Sequence, residues 1–315
     1  MDRSRQLEIR RSLLMLIATE GLTKRYPTAL ALDSLSLEIP EGIIGLLGPN
    51  GAGKSTFFKI LLGLIEATAG NATVLERPIH ERDELRRLVG YMPEHDCLPG
   101  DIPAVAMVTH FGEVSGLPVD AARERTSEVL RHVGLLEERY REISTYSTGM
   151  KQRAKLAQAL VHDPRLLFLD EPTNGLDPAG RIEMLSLIQR TGHELGISIV
   201  MSSHLLDDVE RVCDYVVLID QGRLLKTGPM ESFLAETAVL SIETDGSEPE
   251  LAAALSERGL SATEAGGSVL VDLDSDDVYD RAIATLVDLD LPLIRMERRR
   301  QSLIDLFSTT EDALV

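Results

Sequence analysis

The stretch IIGLLGPNGAGKSTFFKILLG, residues 43–63, constrains the fold of this chain more than any other. It begins with a short apolar run bounded by glycine, which is typical of a buried strand. A match to G-x-x-x-x-G-K-[ST] follows, and then come helix-forming residues with an apolar face. A strand, a glycine-rich loop and a helix in this order predict a phosphate-binding loop, because backbone N–H groups and a helix N-terminus then surround an anion.

Consecutive residues of this loop are the predicted nucleotide ligands. They are Asn50, Gly51, Ala52, Gly53, Lys54, Ser55 and Thr56. The side chain of Lys54 can reach the β- and γ-phosphates, and the hydroxyl of Ser55 can ligate Mg²⁺. The alternative is a glycine-rich turn with an accidental Lys-Ser after it, and the strand and helix on either side argue against that. The sequence therefore predicts a nucleotide-binding protein.

Length and charge restrict the remaining possibilities. At 315 residues the chain can hold one full nucleotide-binding domain and a smaller unit. A net charge of −19 argues against nucleic acid as a partner, because neutralising phosphates needs a basic face. No run of about 18 uncharged apolar residues occurs, so no transmembrane helix is expected. Cys97 and Cys213 lie far apart in unrelated contexts, which favours a reducing compartment over a disulfide framework or a metal site.

Acidic and imidazole side chains follow two further predicted strands. The apolar run 165–169 ends in Asp170-Glu171, and two adjacent acids there are costly unless something binds them. In a phosphate-loop protein, Asp170 is placed to hold Mg²⁺ and Glu171 to polarise an attacking water. The strand 197–201 leads to His204, at the end of a parallel sheet where ligands bind. A structural role for this histidine is the alternative.

Two other positions have two interpretations each. Tyr26, at the end of a predicted strand 16–26, is either an ordinary turn aromatic or a ring that stacks on adenine. The cluster Tyr146-Ser147-Thr148-Gly149-Met150 precedes a predicted helix 151–160. Its hydroxyls and N–H groups can form a simple helix cap or hold phosphate oxygens.

The periodicity divides the chain into three parts. Residues 1–14 are expected to be a disordered leader, and Met15 could equally be the biological start. Residues 15–235 form the nucleotide-binding domain, with a turn at 68–71 before a short strand and a helical insertion at about 95–150. Residues 239–315 form a small α+β unit ending in a helix at 302–307. This unit is acidic, with 17 acids against 6 bases, a net of −11.

Several motifs in a fixed order carry a resemblance to a known family. They are GPNGAGKST, YSTGMKQR, LLFLDEP, GLDP and the segment that starts SSHLLDDVE. Over roughly residues 15–235 the chain resembles the nucleotide-binding subunit of an ABC transporter. The resemblance implies an α/β P-loop NTPase fold of ABC type, with a mixed core sheet, the helical insertion and an antiparallel β part. The small C-terminal α+β domain is added to this.

Two departures from the usual family motifs indicate which type of ABC ATPase the chain resembles. The glutamine that usually follows the Tyr-x-Pro turn is Glu94, and the usual LSGGQ signature reads YSTGM. Both variants are similar to those of daunorubicin-resistance-type and sodium-exporter-type ATPases. The segment QSLIDLF, residues 301–307, also resembles the end of the C-terminal domain in the first of these types.

The resemblance implies ATP and Mg²⁺ as cofactors and a division of roles among the residues. Tyr26 would stack on adenine, and Ser55, Asp170 and Glu94 would surround Mg²⁺. Glu171 would be the general base, and His204 would contact the γ-phosphate and orient the water. Lys54 is the third predicted catalytic residue. The family signature, here Ser147, Thr148, Gly149 and Met150, would act on ATP bound to a second copy of the chain, and Asp177 lies in the D-loop. A head-to-tail homodimer with two ATP molecules is therefore expected.

The implied function is an ATPase that powers a separately encoded export-type permease at the cytoplasmic face of the cell membrane. The permease would dock on the helical insertion near residues 94–114. The acidic C-terminal unit is either a solvated accessory domain or a control element for dimerisation or docking. Soluble ABC ATPases that act on ribosomes or DNA, and importer ATPases, are the alternatives. A P-loop GTPase or kinase is disfavoured because neither explains the signature-like segment beside Asp170-Glu171.

Overall fold

The computed structural model describes residues 15–233, 236–273, 275 and 277–300. The expected leader, residues 1–14, and the expected last helix, residues 302–307, lie outside this range. Contacts divide the chain into two compact units, Met1–Met230 and Glu231–Val315.

The strands described in the N-terminal unit form two sheets. In chain order they are β1 (Met15–Tyr26), β2 (Ala29–Pro40), β3 (Ile43–Leu47), β4 (Ala69–Val74), β5 (Arg77–Pro78), β6 (Val89–Met92), β7 (Leu166–Asp170), β8 (Ser198–Ser203), β9 (Tyr215–Asp220) and β10 (Arg223–Pro229). An antiparallel sheet has the order β2-β1-β4-β5, and the central sheet has the order β10-β9-β3-β8-β7-β6. In the central sheet β9, β3, β8, β7 and β6 are parallel, and β10 is antiparallel to β9.

Helices cover the central sheet and form the insertion. They are α1 (Lys54–Leu61), α2 (Arg82–Leu88), α3 (Ala104–Val114), α4 (Val119–His132), α5 (Thr148–Leu160), α6 (Pro178–Leu195) and α7 (Leu206–Val212), with short 3-10 turns at Ile143–Thr145 and Met230–Ser232. The predicted insertion helices are confirmed as α3 and α4, which bury Met107, Val108, Val129 and Leu130. Among the described residues, no helix combines the length and apolar character that crossing a bilayer requires.

The central strands are buried on both faces, as a sheet between helices requires. Every residue of β3 and of β7 is buried. Phe58 of α1 meets Phe168 of β7 edge to face, with ring centroids 5.0 Å apart. This packing fixes the phosphate-loop helix against the strand that ends in Asp170.

The predicted turn at 68–71 is wrong, because the chain is already in strand β4 from Ala69. Antiparallel pairing with β1 draws this segment into the sheet, with Asn71 opposite Glu20. Gly70 makes that pairing possible, since a Cβ there would lie 2.3 Å from the carbonyl oxygen of Gly21. Long-range pairing therefore outweighs the local turn signal.

In its described residues, the C-terminal unit is a four-stranded antiparallel sheet with two helices packed against it. Its elements are β11 (Glu236–Thr244), α8 (Glu248–Glu257), β12 (Ala262–Ala265), β13 (Ser268–Asp272), α9 (Val278–Asp288) and β14 (Leu293–Arg300), with strand order β12-β13-β11-β14. Its own core includes Leu240, Ile242, Leu251, Val269 and Leu286. The small α+β architecture predicted from the sequence is confirmed, with β12 as a strand that the pattern did not indicate.

Candidate nucleotide site

The glycine-rich loop joins β3 to α1 at the carboxyl edge of the central sheet. Gly51 and Gly53 have φ values of 87° and 105°, which a residue with a side chain rarely adopts. A Cβ on Gly53 would also lie 2.4 Å from the carbonyl oxygen of Ala31. These glycines allow the backbone to curve at the N-terminus of α1, where N–H groups are free to bind an anion.

Lys54 begins α1 and is almost completely buried. Its ammonium donates to the carbonyl oxygens of Gly48 at 2.7 Å and Pro49 at 3.2 Å. It also lies 3.3 Å from Oε1 of Glu171. The ammonium is therefore a buried positive charge at the loop, and the carboxylate of Glu171 is the anionic group beside it.

Several hydroxyl groups lie within hydrogen-bonding distance of the carboxylate of Asp170, at the end of β7. Ser202 Oγ donates to its Oδ1 at 2.7 Å, and Ser55 Oγ lies 3.3 Å from the same oxygen. The hydroxyl of Tyr91 lies 3.4 Å from Oδ2. Burial, together with the charge of Asp170, raises the pKa of Tyr91 above its ordinary value, so the phenol keeps its proton and donates.

Glu171 sits between a cation and an imidazole. Its Oε2 is 2.8 Å from Nδ1 of His204. Its Oε1 is buried without a hydrogen bond in the described part of the chain, with the Lys54 ammonium 3.3 Å away. A carboxylate oxygen with spare accepting capacity, facing the loop, is suited to take a proton from a water molecule.

Glu94 reaches the site from the loop after β6. Its Oε1 accepts from Nδ2 of Asn174 at 3.1 Å. The backbone of this loop is held by Lys155 of α5, whose ammonium donates to the carbonyls of Pro93 at 2.7 Å and Glu94 at 3.0 Å. Burial lowers the pKa of Lys155, which stays paired with these oxygens. Gln152, also on α5, donates to the carbonyl of Asn174 at 3.1 Å.

These side chains surround one open cavity of about 500 Å³. The residues that line it are Ala31, Pro49, Asn50, Gly51, Gly53, Lys54, Ser55, Thr56, Glu94, Glu171, Asn174 and His204. Most predicted phosphate and base residues therefore meet at one place. Ala52 is buried behind the loop, where its carbonyl accepts from Gly222 N.

Other predicted site residues lie outside the lining of this cavity. Tyr26 is exposed at the end of β1, and the ammonium of Lys24 lies 5.2 Å from its ring centroid. Ser147 caps α5, accepting from Met150 N at 3.3 Å, with Thr148 and Gly149 in the first turn. Asp177 caps α6 and accepts from Gly180 N at 3.1 Å. Among the described residues, those of the signature segment do not line the cavity that contains the phosphate loop.

The available oxygens suit Mg²⁺ held jointly by the protein and a nucleotide. Ser55, Asp170 and Glu94 would offer only hydroxyl and carboxylate oxygens, which are the donors that this ion requires. Within the described residues no cluster of three or more His, Cys, Asp or Glu side chains could hold a metal alone. Such a partial set fits Mg²⁺, which is usually bound by one or two carboxylates together with substrate phosphates.

Comparisons with known proteins agree with this geometry. Residues 32–174 match the family described as ABC transporter. An uncharacterised ABC transporter ATP-binding protein of Bacillus subtilis, YdbJ, is 33% identical over 290 residues, covering 91% of this chain and 92% of the relative. The chain belongs to the ABC transporter ATP-binding proteins. This ABC ATP-binding protein is therefore an ATPase that uses ATP with Mg²⁺.

Two further similarities refine the comparison. The daunorubicin/doxorubicin resistance ATP-binding protein DrrA of Streptomyces peucetius is 35% identical over 228 residues, which cover 71% of this chain and 69% of the relative. The solved structure of cbiO1 from Clostridium perfringens, part of the ABC transporter complex cbiONQ, is 30% identical with a TM-score of 0.64. It covers 70% of this ABC ATP-binding protein and 90% of that chain. The predicted family and ABC-type fold are confirmed.

Some residues of the site were not recognised from the sequence. Ser202, Tyr91 and Asn174 contact the acidic residues, but their hydroxyl, phenol and amide groups lie in no phosphate-binding pattern. Lys155 carries the clearest signal, since a lysine on the buried face of a helix is expected to have a specific partner.

Proposed function

We propose that this protein is the ATP-hydrolysing subunit of an exporter, paired head to tail with a second copy and bound to a separately encoded permease. One observation carries the proposal. The cavity collects Lys54, Glu171 and His204, whereas the signature residue Ser147 caps α5 outside the cavity lining. A site that needs both parts is completed by two chains, and a closed two-fold pair does this twice.

The residues divide the reaction among themselves. The loop 50–56 holds the phosphates. Ser55, Asp170 and Glu94 would hold Mg²⁺, and the bound ion would neutralise charge on the phosphates. Glu171 accepts a proton from the attacking water, and His204 orients Glu171 and contacts the γ-phosphate.

Three further groups complete the arrangement. Tyr26 stacks on adenine once its ring no longer contacts the ammonium of Lys24. Ser147, Thr148, Gly149 and Met150 of the second copy cover the γ-phosphate, with Asp177 at the junction of the two chains. These contacts convert ATP binding into closure of the pair.

Export as the direction of transport is supported by similarity to a drug-resistance ATP-binding protein and by the YSTGM signature with Glu94. The permease would place the chain at the cytoplasmic face of the membrane. The loop of Glu94 and the helices that follow it are the proposed docking region, because Lys155 ties that loop to the signature helix α5.

The test is co-purification with a tagged Glu171→Gln chain from detergent-solubilised native membranes in Mg-ATP, followed by mass identification. A tagged Lys54→Ala chain is the control, because it should not hold the nucleotide that closes the pair. Recovery of a multi-span permease with the first bait and less with the second is expected. Recovery of ribosomes or nucleic acid without a membrane protein would contradict the proposal and favour a soluble ABC ATPase.

A further inference from the structure

Ser202 joins the two acidic residues of the site through a single oxygen atom. It is the penultimate residue of β8, next to β7, with Asp170 opposite Ser202 in the parallel register, and its side chain is completely buried. Its Oγ donates to Oδ1 of Asp170 at 2.7 Å and accepts from the backbone N–H of Glu171 at 2.9 Å. The hydroxyl therefore connects the side chain of one acid with the backbone of the next.

The backbone of Glu171 depends on this contact. Its φ of 49° is in the left-handed region, which is uncommon for a residue with a long side chain. The turn directs the carboxylate toward Lys54 and His204. Its N–H is buried and needs an acceptor, which the Ser202 oxygen provides.

Ser202 also makes the shortest of the hydroxyl contacts to Asp170. Ser55 lies 3.3 Å from the same carboxylate oxygen, and Tyr91 lies 3.4 Å from the other. Because the oxygen of Ser55 is itself a proposed Mg²⁺ ligand, its contact with Asp170 would change when the ion binds. Ser202 is completely buried and is not one of the proposed Mg²⁺ ligands, so it can keep its bond to Asp170 throughout.

We propose that Ser202 is the positioning residue that fixes the Asp170 carboxylate for Mg²⁺ and the Glu171 turn for the attacking water. The inference rests on the proposed roles of Asp170 and Glu171. Partners that orient a metal ligand typically change metal affinity or activity about 10- to 100-fold when removed. A serine at this position can donate and accept at once, which an alanine cannot.

The experiment is a Mg²⁺ titration of fluorescent ATP-analogue binding to the full chain, with nucleotide binding in EDTA measured separately. Ser202→Ala is expected to raise the Mg²⁺ concentration needed for half-maximal enhancement by about 10- to 100-fold. Binding in EDTA should stay at the wild-type level, because the phosphate loop is untouched. Ser202→Thr keeps the hydroxyl and is expected to retain most of the Mg²⁺ enhancement.

Ser198→Ala is the matched control, because Ser198 lies at the other end of β8, where its hydroxyl accepts from Gly42 N at 3.4 Å. It should leave the Mg²⁺ titration unchanged. An unchanged titration in Ser202→Ala, or equal shifts in Ser202→Ala and Ser198→Ala, would overturn the proposal. If Ser202→Ala does not fold, Ser202→Cys is the variant to test. A thiol is a weak hydrogen-bond donor, so Ser202→Cys should also raise the Mg²⁺ concentration needed. A wild-type Mg²⁺ titration in Ser202→Cys would refute the positioning role of Ser202.

The Asp170→Asn variant distinguishes a failure of the role proposed for Ser202 from a failure of the role proposed for Asp170. A lost Mg²⁺ enhancement in Asp170→Asn together with a normal titration in Ser202→Ala contradicts the role of Ser202 alone. A normal titration in Asp170→Asn contradicts the assignment of Asp170 and removes the basis for both.

Discussion

Nδ1 of His204 lies 2.8 Å from Oε2 of Glu171, and the opposite oxygen of the same carboxylate lies 3.3 Å from the ammonium of Lys54. The carboxylate is therefore held on one side by the histidine and on the other by the phosphate-loop lysine. A γ-phosphate offers Lys54 a stronger partner than the carboxylate does. Nucleotide binding would then release Oε1 of Glu171 for a water molecule.

Replacing Glu171 with glutamine removes the proposed proton acceptor while keeping the shape of the side chain. Turnover should fall by about 100- to 10,000-fold, because an amide cannot act as a general base. ATP should stay bound and trap the paired form, as measured by ATP hydrolysis and by gel filtration in Mg-ATP. Glu183→Gln is the control, since Glu183 lies on α6 and makes an exposed ion pair with Arg153 of α5. Wild-type hydrolysis in Glu171→Gln would show that another group is the base.

Loss of the imidazole should have a smaller effect than loss of the base. A hydrogen bond to a charged group contributes about 1.5–3 kcal/mol, so His204→Ala should lower the turnover rate by about ten- to a hundredfold. The rate of ATP hydrolysis at saturating Mg-ATP measures this. His193→Ala, at an exposed position of α6, should hydrolyse ATP normally. Equal rates in the two variants would assign His204 a structural role only.

An alanine at Gly53 should abolish nucleotide binding. Its Cβ would lie 2.4 Å from the carbonyl oxygen of Ala31, and its φ of 105° disfavours any side chain. Gly116 is a matched control, because its φ is 100° but no atom lies within 4 Å of an added Cβ. Equilibrium binding of ATP should therefore be lost in Gly53→Ala and retained in Gly116→Ala. Tight binding in both would mean that the loop tolerates the displacement.

Truncation of Phe168 tests the packing that supports Asp170. Phe168 is fully buried and meets the ring of Phe58. Phe168→Ala should lower the free energy of unfolding by about 3–5 kcal/mol, measured by urea titration of the full chain. Tyr140→Ala removes an exposed ring stacked with Arg139, and should cost no more than about 1 kcal/mol. A comparable loss in both variants would contradict this account of the core.

The phosphate loop was predictable because all of its defining residues are consecutive in the sequence. The order of strand, glycines, Lys54 and Ser55 defines a site before any tertiary contact is known. The same holds for Asp170 and Glu171, since adjacent acids after an apolar strand need partners. The contact between His204 and Glu171 needs the register of β7 and β8, so the sequence indicated only that the histidine ends a strand at the ligand edge.

Other parts of the site depend on packing between distant segments. Lys155 donates hydrogen bonds to the loop of Glu94 because α5 lies beside the end of β6. No local sequence pattern specifies that α5 lies there. Ser202 directly follows the predicted strand 197–201, yet its proposed role depends on its position opposite Asp170 in the sheet. The turn expected at 68–71 failed for the same reason, because pairing with β1 determines that segment.

The separation of Ser147 from the cavity that contains Lys54 has a genetic consequence under the proposed pairing. A cell with two defective alleles, one altered at Lys54 and the other at Ser147, would form mixed pairs. In each mixed pair, one ATP site combines both lesions and the other inherits neither. The two alleles should therefore complement one another in part, although either allele alone abolishes function.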